Sequence, residues 1–226
     1  MSGHVRNMYP TQSISQAITT LISLLLVTAI HSSSAEAECR NKLCAISLRK
    51  SLKLTNLIHK ESANLLKIYK TSQGDMIDGL CQMSSDNVPD PNISGLDPSE
   101  RMLSIYSHCN AFLPHLARVA EQQTDLQLPS SPLPSELLLA RTRIRDLASQ
   151  INCIYQNLFP NLPTPHQSTD SPTSIPPSQN VFQQKVYGCV VLKRLKEFLS
   201  QVKIELKKTK KQVCRPRSFV GANVQF

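Results

Sequence analysis

Residues 180–206 have the sequence NVFQQKVYGCVVLKRLKEFLSQVKIEL, and this segment decides the fold. Its apolar positions recur every three or four residues, which is the spacing of one face of an α-helix. Asn180 is a residue type that caps a helix N-terminus. The apolar face consists of Phe182, Val186, Cys189, Leu195, Leu199, Val202 and Leu206. The segment therefore predicts a long amphipathic helix whose apolar face must be covered by other helices.

Three further segments of helical period precede this one. Asp97, Pro98 and Glu100 form a start signal for the second of them, because they supply a cap, a first-turn proline and a capping-box glutamate. Pro114 lies inside that helix and is expected to kink it. Their apolar faces are Leu48, Leu52, Thr55, Ile58, Ser62, Leu66 and Tyr69, then Met102, Ile105, Cys109, Phe112, Leu116 and Val119, then Leu137, Ala140, Ile144, Leu147, Ile151, Ile154 and Leu158. Since no useful stretch alternates with period two, the sequence predicts an all-α protein.

The lengths of the links predict how the four helices are arranged. The link at residues 128–134 is short, so the helices on either side of it should be antiparallel neighbours. The link that follows Gly74, and the link at residues 160–179 with its six Pro, are each long enough to run the length of a helix. Two long crossover links predict an up-up-down-down four-helix bundle.

The N-terminal segment predicts export from the cell. Residues 17–30 form an apolar run shorter than a membrane span, and Ala35-Glu36-Ala37 fits the small-residue rule for signal-peptide cleavage. We therefore expect a signal peptide at residues 1–37, a helical domain at residues 38–213 and a basic or irregular tail at residues 214–226. An oxidising compartment would favour pairing of the seven cysteines, of which an odd one must stay free or pair with another chain.

The net charge of +9 is concentrated at the C-terminal end of the chain. From Lys185 onward there are eleven basic and two acidic side chains, an excess that equals the net charge of the whole chain. Because a secreted protein does not meet nucleic acid, heparan sulfate is the expected partner, and a merely solvated tail is the alternative. The glycan-binding patch is expected at Lys207, Lys208, Lys210 and Lys211.

Enzymatic and metal-binding functions have little support in the sequence. The chain has six Gly and no Trp, which leaves little material for phosphate-binding loops, and no segment resembles a nucleophile elbow or a zinc-binding His pair. The nearest approach to a metal cluster is His108, Cys109 and His115, which the helical period explains as helix surface and core. We expect neither catalysis nor a cofactor. In the secretory pathway, the sequon at Asn92 is a candidate glycosylation site.

Three stretches carry a resemblance to a known family. SANLLKIYKTSQG at residues 62–74 resembles the end of the first helix of cytokines in the leukaemia inhibitory factor and oncostatin M family. QINCIY at residues 150–155 resembles the cysteine region of the third helix in that family. VFQQKVYGC at residues 181–189 resembles the start of its last helix. The resemblance extends patchily from Cys39 to Leu206, and the loops match in character only. It implies a secreted helical cytokine of the interleukin-6 type.

The resemblance implies a receptor-binding function for Phe182 and Lys185. In these cytokines a Phe-x-x-Lys pair at the tip of the last helix binds the leukaemia inhibitory factor receptor or its oncostatin M relative, while a surface on the first and third helices binds the shared signal-transducing subunit. The alternative from periodicity alone is that Phe182 is the first core residue and Lys185 is solvated. Lys50, Lys53, Asp146, Ser149 and Gln150 are exposed candidates for the second surface by helical phase only.

The resemblance also implies disulfide bonds. Cys81 would pair with Cys189, and Cys153 with Cys44 or Cys39, of which Cys44 is preferred. The partners of Cys39 and Cys214 stay open, and Cys109 is expected to be a buried free thiol. The expected function is a monomeric cytokine that joins two class I receptors and activates JAK/STAT signalling in growth and immune responses. The alternative is a secreted heparin-binding or lipid-binding helical protein without receptor signalling.

Overall fold

The computed structural model describes residues 45–74, 77–83, 87–163 and 180–213, all within one unit, Cys44–Phe226. Helix α1 occupies residues 45–73, and a single helical turn, α2, occupies Ile77–Leu80. The remaining helices are α3 at Pro98–Leu126, α4 at Leu133–Leu158 and α5 at Val181–Val213. These ranges contain no β-strand, and the all-α prediction is confirmed. The expected signal peptide, the C-terminal tail and residues 164–179 of the second long link lie outside the described residues.

Helix α3 begins where its start signal predicts. The Oδ1 atom of Asp97 accepts hydrogen bonds from the backbone N–H groups of Ser99 and Glu100, at 2.7 and 2.9 Å, and Pro98 is the first helical residue. The carboxylate of Glu100 reaches back to the backbone N–H of Leu96 at 2.7 Å, one residue before the cap. The helix continues through Pro114 to Leu126, so the proline does not end it.

Hydrogen bonds and ion pairs between helices give the direction of α1 relative to α4 and α5. Near the start of α1, the Ser51 hydroxyl donates to Gln150 at 3.0 Å, and ten residues later Glu61 pairs with Arg143. The residue number of the contact rises along α1, from 51 to 61, and falls along α4, from 150 to 143. The two helices are therefore antiparallel. Near the end of α1, the Tyr69 hydroxyl meets the first turns of α5, which makes these two helices antiparallel as well.

Contacts of α3 complete the topology. Its last turn meets the last turn of α1 through a 2.7 Å hydrogen bond between Gln73 and Gln123, so α1 and α3 point the same way. Its first turn pairs with the end of α5 through Arg101 and Glu205, at 3.0 Å. The up-up-down-down four-helix bundle is therefore confirmed, with α2 an addition inside the first crossover link.

The predicted apolar faces form the core, with one correction. All six predicted residues of α3 are fully buried, whereas Leu52, Ala140, Leu158 and Val186 pack on the core from partly buried positions. Phe182 does not belong to the core, because 53 % of its surface is exposed. It lies in the first turn of α5, ahead of Tyr187, where the buried part of this helix begins.

The first crossover link lies along α5 and is attached to it at four points. A disulfide joins Cys81 to Cys189, the pair implied by the resemblance. Three hydrogen-bonded contacts follow in the same order along both segments, Gln82 with Lys193, Val88 with Arg194, and Asn92 with Gln201. The link thus runs parallel to α5 and covers one side of it. None of the helices in the described ranges is long and apolar enough to cross a membrane.

Candidate functional site

The first turn of α5 is fixed by a reciprocal cap. The backbone N–H of Gln183 donates to the Asn180 side chain at 2.9 Å, and the backbone N–H of Asn180 donates to the Gln183 side chain at 3.0 Å. Residues three apart on a helix share a face, so Phe182 and Lys185 are neighbours on this turn. Phe182 is 53 % exposed, and Lys185 is half-buried. We call this end of the bundle, formed by the start of α5 and the ends of α1 and α3, the tip.

Tyr69 attaches the tip of α5 to α1. Its ring is fully buried, and its hydroxyl donates to the backbone carbonyl of Lys185 at 3.0 Å. Burial raises the pKa of the Tyr69 hydroxyl well above its ordinary value, so the group remains a proton donor. The backbone that carries Lys185 is therefore held by a contact from the neighbouring helix.

Gly188 makes this contact possible. A β-carbon at this position would lie 2.3 Å from the Tyr69 hydroxyl oxygen and 2.7 Å from the ring carbon that bears it. The missing side chain therefore lets the Tyr69 ring lie directly against α5. The next residue, Cys189, forms the disulfide to the first crossover link, so two adjacent residues fix α5 to two different segments.

Three glutamines join Tyr69 in a polar network at the tip. The Gln123 side-chain oxygen accepts hydrogen bonds from Gln73 at 2.7 Å and from Gln127 at 3.1 Å. The amide nitrogen of Gln123, which is fully buried, lies 3.5 Å from the Tyr69 hydroxyl. The network connects α1, α3 and α5 with groups that carry no formal charge.

A second buried polar pair involves His115, about two turns before Gln123 in α3, and Tyr187 of α5. The Nδ1 atom of His115 and the hydroxyl of Tyr187 are 2.7 Å apart, and both side chains are almost fully buried. Burial lowers the pKa of His115 to about 4 and raises the pKa of Tyr187 above its ordinary value. His115 is therefore neutral at physiological pH.

The family of the chain follows from comparison with known sequences. A family model described as "LIF / OSM family" matches residues 47–204, which extends from the first turn of α1 to the last third of α5 and includes the whole tip. This chain belongs to the LIF / OSM family. The family implies an interleukin-6-type cytokine, in agreement with the four-helix bundle. A search among individual curated proteins gave no match.

Two further cysteines, Cys109 and Cys153, lie within the described residues of this family member. Cys109 is fully buried with a free thiol, as expected, and burial raises the pKa of this thiol far above its ordinary value. Cys153 is an exposed free thiol, and its expected partner Cys44 lies outside the described residues, so that pairing stays a prediction. Its side chain faces solvent, and Asn157 donates to its backbone carbonyl at 2.8 Å. Cys39, Cys44 and Cys214 lie outside the described residues.

The other predicted site residues of this LIF / OSM family member are on the surface. Asn92 is exposed, its side-chain oxygen accepts a hydrogen bond from Gln201 at 3.0 Å, and its backbone N–H donates to Asp90 at 2.7 Å. The four predicted glycan-binding lysines belong to the last turns of α5. Among them Lys208 pairs with Glu205 at 2.7 Å, Lys207 and Lys211 are exposed, and Lys210 is half-buried.

Helices α1 and α4 present the second candidate surface. Lys50, Lys53, Asp146 and Ser149 are exposed, whereas Gln150 is half-buried and accepts the hydrogen bond from Ser51. This surface therefore lies on adjacent helices, as expected from their phase. His108 stacks on Phe198 and bonds to the Ser104 carbonyl, and in the described part of the chain no group of three His, Cys, Asp or Glu side chains is placed to hold a metal ion.

Sequence reasoning missed the interactions that support the tip. The sequence places Tyr69 on an apolar helix face and Gly188 in the family-like stretch at residues 181–189, but helical period cannot predict a contact between residues 119 positions apart. Gln123 has a polar side chain of the kind usually found at the surface, and it is nevertheless fully buried. The available signal was the small residue at Gly188 on an otherwise bulky helix face, which indicates close approach of another chain segment.

Proposed function

We propose that this protein is a secreted cytokine that brings together two class I cytokine receptors. One is the shared signal-transducing subunit, and the other is a receptor of the leukaemia inhibitory factor or oncostatin M type. Their association would activate JAK/STAT signalling. The observation that carries the proposal is the exposure of Phe182, a large aromatic side chain, on a turn held by the Tyr69 and Asn180 contacts.

The tip has the physical properties of a binding hot spot. An exposed Phe in water gains free energy when a partner covers it, and aromatic side chains dominate the energetics of many interfaces. The cap and the Tyr69 contact order this turn before binding, so little conformational entropy remains to be lost there. Lys185, on the same face, adds a cation that favours an acidic partner surface.

The surface on α1 and α4 supports a second contact. It lies on helices whose exposed sides are separate from the first turn of α5, so one receptor need not displace the other. Two receptors held by one small protein have their intracellular tails brought close together. We propose that the shared subunit occupies the α1–α4 surface, which the contacts of Ser51 with Gln150 and of Glu61 with Arg143 hold together.

STAT phosphorylation in cells that carry both receptors tests the proposal. Phe182→Ala should weaken the response by roughly 30-fold in half-maximal concentration, equivalent to about 2 kcal/mol of lost binding free energy. The matched control is Leu96→Ala, because Leu96 is an exposed apolar residue at the opposite end of the bundle, before α3. The control should respond like the wild type.

The outcomes separate the site from the function. Equal responses from the wild type and Phe182→Ala would reject the proposed site and leave the cytokine function standing. If the wild type gives no response in cells with either receptor type, the signalling function is rejected. The alternative would then be a secreted heparin-binding or lipid-binding helical protein, and retention on heparin or binding to phosphatidylcholine vesicles would distinguish these two.

The proposal includes secretion, a glycan at Asn92 and binding of heparan sulfate at cell surfaces. The exposure of Asn92 supports the second, since its amide nitrogen makes none of the hydrogen bonds that hold the side chain. N-terminal sequencing of the exported protein should give a first residue near Glu38. An endoglycosidase-sensitive mass that disappears in Asn92→Gln would test the glycan.

A further inference from the structure

The lysines of α5 fall into two sets that differ in position and burial. Lys196, Lys203 and Lys210 are seven residues apart, which places them on one side of the helix, because seven residues are close to two turns. All three are half-buried, whereas Lys207 and Lys211 are exposed. We call the first three residues the lysine stripe.

The lysine stripe borders α1. The charges of Lys203 and Lys196 lower the pKa of His59, in the middle of α1, although burial of the imidazole is the larger cause. No acidic side chain is among the causes of this shift. Geometry places the stripe on the same side: the Tyr69 hydroxyl of α1 donates to the Lys185 carbonyl, and the three stripe lysines follow Lys185 by 11, 18 and 25 residues, close to whole numbers of helical turns.

Among the described residues, no acidic side chain forms an ion pair with a lysine of the stripe. The ion pairs there involve Glu61, Asp78, Glu121 and Glu205, and each of these acids pairs with a basic residue outside the stripe. Lys208 is one of them, since it pairs with Glu205. Lys193, on the side of α5 next to the crossover link, donates to Gln82. No ion pair among the described residues neutralises a stripe lysine, so the three positive charges remain available to an anion.

We propose that Lys196, Lys203 and Lys210 form a linear binding site for a sulfated glycosaminoglycan along the line between α1 and α5. The inference deepens the proposed binding of heparan sulfate and rests on it, but it moves the main contacts from the exposed end of α5 to its side. At 1.5 Å per residue, fourteen residues give the stripe a length of about 21 Å. Only an extended anion can contact all of it.

Partial burial favours the stripe over the exposed lysines at the end of the helix. The aliphatic part of a half-buried lysine is packed, so its ammonium group samples fewer positions before the ligand arrives. Less side-chain entropy is then lost on binding. A single phosphate would reach one or two of these lysines, whereas a sulfated chain can place one anionic group beside each.

Heparin affinity chromatography of the full secreted chain tests the stripe. The triple variant Lys196→Gln/Lys203→Gln/Lys210→Gln should elute at a clearly lower salt concentration than the wild type. The matched control, Lys50→Gln/Lys53→Gln/Lys67→Gln, removes the same charge from exposed positions of α1. Because it leaves the stripe intact, the control should elute close to the wild type.

Titration of His59 provides a second readout. Bound sulfate groups near Lys196 and Lys203 would favour the protonated imidazole, so heparin should raise the pKa of His59 measured by NMR. Lys203→Gln should reduce this increase. An unchanged pKa with heparin bound would overturn the proposed location.

The outcomes distinguish the stripe from the rest of the proposed function. Equal elution of the stripe and control variants, with earlier elution of Lys207→Gln/Lys211→Gln, overturns the stripe and leaves heparan-sulfate binding at the end of α5. A wild type that heparin does not retain at physiological salt overturns both. Binding to phosphatidylserine vesicles without retention on heparin also overturns the proposal. STAT phosphorylation in cells without heparan sulfate tests receptor signalling independently.

Discussion

The two ends of α5 differ in chemistry although they belong to one helix. At the tip, the contacts to α1 and α3 are made by Tyr69, Gln123 and a backbone carbonyl, none of which carries a formal charge. At the other end, Glu205 pairs with Arg101 and Lys208, and further lysines follow. The tip exposes an aromatic side chain, and the C-terminal end exposes ammonium groups.

This difference separates two kinds of recognition. Shape and apolar burial at the tip suit a protein receptor, because such contacts depend on fixed geometry. Dispersed positive charge along and beyond the C-terminal half suits a flexible polyanion, because long-range attraction tolerates many arrangements. A single continuous helix can hold both, since the common apolar face fixes it in the core between Tyr187 and Leu206.

The disulfide next to the tip should give the largest effect on stability. Cys81→Ser/Cys189→Ser opens a link that spans 108 residues, so it should lower the free energy of unfolding by roughly 3–5 kcal/mol in the chain-entropy description. Urea denaturation measures the loss. Ser149→Ala, at an exposed position of α4, is the control and should stay within about 0.5 kcal/mol of the wild type. A loss below about 1 kcal/mol in the double variant would contradict the prediction.

Gly188→Ala should damage the tip alone. The added β-carbon would collide with the Tyr69 ring, and overpacking of this kind costs about 1–3 kcal/mol of unfolding free energy. Helix propensity by itself would favour Ala, so a net loss reports the collision. Tyr69→Phe removes the nearest colliding atom, and the double variant should therefore lose less than the sum of the two single losses. Additive losses would argue against the contact.

Acid should lower the free energy of unfolding through His115, which is buried in the half of the bundle that contains the tip. Its pKa in the folded protein is about 4, below the ordinary 6.5 of an unfolded chain, so the unfolded state binds protons first as the pH falls. The stabilisation from neutral His115 is complete above about pH 6.5 and is lost progressively as the pH falls toward 4. The loss reaches roughly 1–2 kcal/mol of unfolding free energy by pH 5. His115→Gln should show a flatter dependence of unfolding free energy on pH over this range. Parallel curves for the two proteins would contradict the assignment.

Arg101→Met should have the smallest effect, at the charged end. The Arg101–Glu205 pair is largely shielded from solvent, with 18 % and 12 % of the two side chains exposed, but its loss should lower the unfolding free energy by only about 1 kcal/mol because a second cation contacts Glu205. Lys208 remains to neutralise Glu205. The difference from the wild type should shrink in about 1 M NaCl, whereas the Gly188→Ala difference should not. Equal salt dependence of the two losses would remove the contrast between the ends.

The helices and their order could be predicted because the information is local. The start of α3 follows from Asp97 and Pro98, and the core of each helix follows from apolar residues at helical spacing. Link length then selects the topology, since only long links allow two parallel helices to be consecutive. The family resemblance at residues 181–189 predicts Phe182 and Lys185 as binding residues at the start of the last helix.

The details of the tip could not be predicted because they depend on register between distant segments. Phe182 fits the helical period of the core, yet the part of α5 that is buried begins five residues later, at Tyr187. Helical period places Gln123 on the buried face of α3, four residues after Val119, but it contains no information about which partners its polar side chain finds there. The pairing of Cys153 with Cys44 depends in the same way on a distant segment of the chain, and Cys44 lies outside the described residues.

The uncharged network at the tip has a consequence for the fate of a receptor complex after uptake into the cell. Gln73, Gln123 and Gln127 do not titrate, the pKa of Tyr69 lies above its usual range, and His115 has a pKa of about 4. Acidification to the pH of an endosome therefore leaves the charge of these groups unchanged in the folded protein. A pH-dependent release of the receptor that we propose to bind at the tip would therefore have to originate in the receptor itself.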